Sequence, residues 1–164
     1  MKKKRICVTV ITAFIFFSSA RAQVNKPISH LQNRIILKPV DIDNNTGDTG
    51  IAQIREPGGR LGRFIIAVDH NGNETKYKKT EIWGYQRAGD DNIKRIYEKE
   101  TYVIKEMTDV VIYASYLRHS NYFFSINPES PVGILNKANL LNALGNTGYL
   151  KLYEKSLILK RIIK

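Results

Sequence analysis

The oxygen-rich run Asp41-Ile42-Asp43-Asn44-Asn45-Thr46-Gly47-Asp48 is the first place where residue spacing suggests chemistry, because hard cations are held by alternating oxygen ligands. The register does not complete a calcium loop. Counted from Asp41, the sharp-turn position holds Thr46 instead of glycine, and the position that needs a bidentate glutamate holds Ala52. Asp and Asn also satisfy backbone groups in ordinary loops, which is the stronger reading. Gly58-Gly59-Arg60-Leu61-Gly62 lacks the spacing and flanking elements of a phosphate cradle, so its glycines are read as turn residues. His30, His70 and His119 lie far apart with no partner at zinc-ligand spacing, and no metal or cofactor is expected. No Gly-x-Ser-x-Gly elbow marks a nucleophile. The acids Asp90 and Asp91, and Glu98 and Glu100, fall in expected turns, where carboxylates are ordinarily solvated. No catalytic residue is assigned, and a binding role is preferred to an enzymatic one.

Aromatic and basic residues carry the better binding signal. Trp83 and Tyr85 alternate with Ile82 and Gly84 on one expected strand, which puts the two rings on one face beside Glu81 and Arg87. Arg95 and Tyr97 lie on the next expected strand. Exposed, such groups would stack on a sugar ring or a partner's side chains. Buried, they would fill the sheet, and burial tendencies favour that reading for Trp83 and Tyr85. Trp83, Tyr85, Arg87, Arg95 and Tyr97 are therefore the candidate ligand-binding residues. Tyr122-Phe123-Phe124-Ser125 carries the same ambiguity.

The N-terminal segment sets the compartment. Met1 to Arg5 is positively charged, Ile6 to Ala20 is apolar, and Ala20-Arg21-Ala22 is a small-x-small pattern, so residues 1–22 read as a signal peptide cleaved between Ala22 and Gln23. As a helix the apolar run spans only about 22 Å against the roughly 30 Å of a bilayer core, which favours a cleaved leader over an anchor. The expected location is periplasmic or extracellular. Cys7, the single cysteine, lies in the leader, so the mature chain is disulfide-free.

Charge follows the same division. The formal net charge is +11, but the leader holds five basic residues and no acid, and the last 18 residues net +4. Residues 23–146 net only +2 with the signs interleaved. A nucleic-acid binder needs a basic face, and none is legible. The basic tail, residues 149–164, either docks on the sheet, the stronger reading, or contacts a membrane surface or partner, or is disordered.

These residues must be positioned by a β-rich scaffold. Arg34 to Val40 reads as a first strand, and residues 41–62 as a long glycine-rich loop with a short strand around Ile51 to Ile54. From Arg63 apolar alternation begins, and Asn71-Gly72 signals a hairpin with a type I′ turn. Runs at 81–87, 93–97, 101–105, 110–116 and 121–126 follow, separated by short polar breaks that favour an antiparallel meander. Asn136 as N-cap, a leucine stripe and Gly145 predict a helix over 137–144. The expected fold is α+β, mostly β, an antiparallel meander forming a curved sheet or small barrel with one or two C-terminal helices. Residues 23–62 form the lead-in, first strand and loop, residues 63–164 the meander and helical segment, and 23–164 one domain.

The ordered series Ile82-Trp83-Gly84-Tyr85, Lys94-Arg95-Ile96-Tyr97, Val110 to Tyr113, Tyr122-Phe123-Phe124-Ser125 and Asn136 to Leu144 resembles small exported Bacteroidetes-type β-rich proteins of unassigned function, over about residues 64–145. The resemblance implies compartment and architecture and transfers no catalytic residue. The functional expectation is a non-enzymatic binding or interaction domain of the cell envelope or extracellular space, with an envelope or extracellular protein or a glycan as partner. The alternatives are a hydrolase of an envelope polymer, using acids such as Asp90 or Glu98, and a structural subunit that pairs through a sheet edge.

Overall fold

The computed structural model describes residues 32–58, 62–117 and 121–163. The expected leader with its expected Ala22–Gln23 cleavage point, and also His30 and His119, lie outside these residues. Ten antiparallel strands form one open curved sheet: β1 (Asn33–Ile36), β2 (Asp48–Arg55), β3 (Phe64–Asp69), β4 (Glu74–Lys78), β5 (Gly84–Gln86), β6 (Lys94–Tyr97), β7 (Glu100–Met107), β8 (Val111–Ser115), β9 (Tyr122–Ser125) and β10 (Gly133–Ile134). A short helix α1 (Val40–Asn44) joins β1 to β2, and α2 (Lys137–Lys155) and α3 (Leu157–Ile162) close the chain. The strand order is β10-β9-β8-β7-β6-β5-β1-β2-β3-β4. Every neighbouring pair is consecutive in sequence except β1 and β5, which meet through Arg34 opposite Gln86, Ile35 opposite Tyr85 and Ile36 opposite Gly84.

The curl of the sheet follows from one short connection. Residues 79–83 link edge strand β4 to β5, which lies four strands away. That link is partly folded into a turn, with the Glu81 N–H donating to the Lys78 carbonyl at 2.9 Å. Four strand intervals of about 4.8 Å are too far for so short a segment to cross over a flat sheet. The sheet therefore bends, and its inner surface gathers Ile35, Ile51, Ile54, Ile65, Ala67, Ile82, Tyr85 and Ile96 into one core. The C-terminal half has two covered faces. Val110, Ile112 and Phe124 pack against Leu140, Tyr149, Leu152 and Leu159 of the helices. Ile36, Ile93, Ile104, Val111 and Tyr113 form the opposite core, against which Trp83, Tyr102 and Phe123 rest.

The tail is helical and docked. Asn136 caps α2, its side chain accepting from the Asn139 N–H at 2.8 Å, and Gly145, at φ 67, breaks the helix where a left-handed residue is needed. Ser156 caps α3 and also donates to Glu106 at 3.0 Å, which ties the tail to β7. Among the described residues no helix is long and apolar enough to cross a membrane.

Two local expectations, the loop at 41–62 and the turn type at Asn71-Gly72, are corrected. The stretch 41–62 is not mainly loop, because it contains α1 and the eight-residue β2. Ile51 and Ile54 both face the core despite opposite parity, because the register against β3 shifts between Ile51 and Gln53. The turn at Asn71-Gly72 is not type I′: only Gly72 has positive φ there, and its N–H donates to the Asp69 carbonyl at 3.1 Å. That is a type I turn followed by a left-handed glycine.

Candidate ligand-binding site

Four strand ends build the site. Glu56 directly follows β2, Lys79 directly follows β4, Thr101 is the second residue of β7, and Tyr116 and Leu117 follow β8. β2 and β4 both pair with β3, which sets the first two near each other: Lys79 Nζ lies 2.7 Å from Glu56 Oε1, with the side chains only 9% and 11% exposed. Thr101 Oγ1 donates to the same oxygen, and Tyr85, inside the curl, donates its phenol to Glu56 Oε2 at 2.5 Å. Both carboxylate oxygens are thus occupied.

Burial works to raise the Glu56 pKa, but the hydrogen bonds from Lys79, Thr101 and Tyr85, with the Lys79 charge, outweigh it and hold the carboxyl below its ordinary value. The Tyr85 phenol is pushed up, first by burial and then by its bond to Glu56, and remains a donor. A carboxylate this fully engaged is a poor general base and a good internal counter-charge.

Above this pair opens a cavity of about 260 Å³, walled by Glu56, Pro57, Lys79, Thr101, Tyr116 and Leu117. Tyr116 is half-buried, and the Lys94 ammonium sits 5.9 Å from its ring centre. Leu117, at the mouth, is 82% exposed. Glu100, also exposed, adds a carboxylate to the rim.

Of the residues singled out from the sequence only Tyr85 reaches this site, through its bond to Glu56, and the five do not form one surface. Trp83 and Tyr85 do not share a face: Tyr85 is fully buried in the inner core, whereas Trp83 packs with the opposite core. The cause is a bulge. The Trp83 N–H donates to Ile36 O at 2.9 Å although the Cα partner of Ile36 is Gly84, so two residues of β5's entry face one of β1. Arg95 is 3% exposed. Its guanidinium donates to Tyr113 Oη at 2.6 Å, Ser125 Oγ at 3.1 Å and the Ser130 carbonyl at 2.7 Å. It sits 5.5 Å from the Trp83 ring and 5.4 Å from Tyr97. With Trp83 Nε1 donating to the Pro128 carbonyl at 2.8 Å, these side chains clamp the 128–130 turn. Arg87 lies over the Tyr85 ring at 5.5 Å.

Sequence reasoning missed Glu56, Lys79, Thr101, Tyr116 and Leu117. Each stands at a strand end among polar or turn residues, and nothing in their spacing pairs them across the sheet. Among the described residues no three potential metal ligands gather. No family model, curated protein or solved structure matches the chain.

Proposed function

We propose that the protein is an exported, non-enzymatic binding domain of the cell envelope or extracellular space, and that the cavity over the Glu56–Lys79 pair is its ligand site. One observation carries this reading: an apolar residue, Leu117, stands 82% exposed at the mouth of a cavity whose charged floor is already neutralised from within. An exposed large apolar side chain beside a concave site with few polar groups suits ligand contact. The leader supplies the compartment, in keeping with the resemblance to small exported Bacteroidetes-type proteins, and N-terminal sequencing of the mature protein is expected to begin at Gln23; a start at Met1 would overturn export with cleavage.

The alternatives draw less support. Asp90 and Glu98 stand at opposite ends of β6, separated by a four-residue strand of roughly 13 Å, and Asp90 is bound to Lys94 and Asn92. Edge strand β4 carries Glu74, Lys76 and Lys78, charges that discourage edge-to-edge pairing. The binding reading is tested by Leu117→Asp. Burying one leucine against a partner is worth about 1.5–3 kcal/mol, so retention in the washed envelope fraction should fall at least about tenfold with no change in denaturation midpoint. Equal retention of variant and wild type would sink it.

A further inference from the structure

Resting on that reading, we infer that the cavity takes a single neutral sugar ring at the end of an envelope or extracellular glycan. Size comes first. At about 260 Å³ the cavity lies just below the roughly 300–1,000 Å³ that encloses drug-sized ligands, so it admits one ring and not a chain segment.

Charge comes second. Lys79 and Glu56 cancel each other at the floor, so the floor offers no net charge to an ionic ligand. The exposed Glu100 carboxylate at the rim adds a negative charge that repels acidic sugars.

The third constraint is the mixed character of the wall. Thr101 and the Lys79 ammonium bring hydrogen-bonding groups. Pro57, Leu117 and the half-buried Tyr116 ring bring apolar surface beside them. A pyranose matches this mixture, having hydroxyls around its edge and C–H groups on its faces. Lys94 lies over the Tyr116 ring and fixes an aromatic wall against which a ring stacks.

The test is an amide NMR titration of the mature protein with the methyl glycosides of glucose, galactose, mannose, N-acetylglucosamine and glucuronate, and with N-acetylalanine methylamide as an amide probe. The expected result is saturable shifts of Gly58, Lys79, Thr101 and Tyr116 with at least one neutral glycoside and none with the glucuronide. Tyr116→Leu, which keeps bulk without an aromatic face, should weaken that binding about tenfold, and Glu100→Gln should admit the glucuronide. Saturation by the amide probe alone would overturn the sugar assignment and leave the binding reading standing. Absence of saturable shifts with every neutral glycoside also overturns the assignment. The binding reading falls with it only if Leu117→Asp leaves envelope retention unchanged.

Discussion

Gly84→Ala is expected to lower unfolding stability by at least about 3 kcal/mol, a shift of about a hundredfold or more in the ratio of folded to unfolded chain. A Cβ at this position would lie 2.1 Å from the Lys94 carbonyl oxygen, 3.1 Å from its carbon and 3.2 Å from Arg95 Cα. All three atoms belong to the backbone of β6, so no side-chain rotation relieves the clash and the β5–β6 ladder must separate. Separation is costly because the same strand carries Tyr85 into the inner core and faces Arg95 across the ladder. Urea denaturation measures the effect; a loss under about 1 kcal/mol would mean the two strands have slack that the geometry denies.

The second large effect is expected at Glu56. Glu56→Gln keeps the shape and removes the counter-charge, leaving the largely buried Lys79 ammonium unpaired, and removal of one partner of a buried pair costs about 3–5 kcal/mol. The effect has a definite pH dependence. Although burial alone would raise it, the Glu56 carboxyl is held below its ordinary value by Lys79, Thr101 and Tyr85, so the folded state favours the ionised form. Its contribution is complete above the unfolded value, near 4.3, and is lost as pH falls through the lower folded value. Denaturation curves of wild type and variant should therefore differ fully at pH 7 and converge in acid below about pH 4. A difference that stays constant from pH 7 to pH 3 would show that shape, and not charge, holds the site together.

Most of the scaffold was legible because its signals are local. Alternation along residues 64–68, the polar breaks after Gln86, Tyr97 and Met107, and the Asn136 and Gly145 helix signals act over a few residues, and the strands and α2 follow them. What was not legible depends on partners far along the chain. Trp83 changes face because Ile36, 47 positions earlier, meets two residues at once. Only the middle of β2 was legible, as a short strand around Ile51 to Ile54, because a register shift replaces alternation with burial at those two residues. Thr101 reaches the Glu56–Lys79 pair from four strands away only after the sheet curls, so a single sequence presents the three as separate polar residues near turns. Arg95 was read as a candidate ligand contact, yet its partners are Tyr113, Ser125 and the Ser130 carbonyl, which hold a turn in place.

The position of β1 has a further consequence, for the order in which the chain assembles. β1 to β4 form a ladder of local hairpins, and so do β5 to β10; in the strand ladder the two are joined by the three residue pairs between β1 and β5. Each half can zip quickly, but the seam must wait for a segment about 50 residues downstream, and long-range closure is the slow step for such topologies. The strand that emerges first is thus the last to have both its edges occupied. Until then its open edge can accept β5 from another copy, and the short 79–83 link is the hinge such an exchange would use.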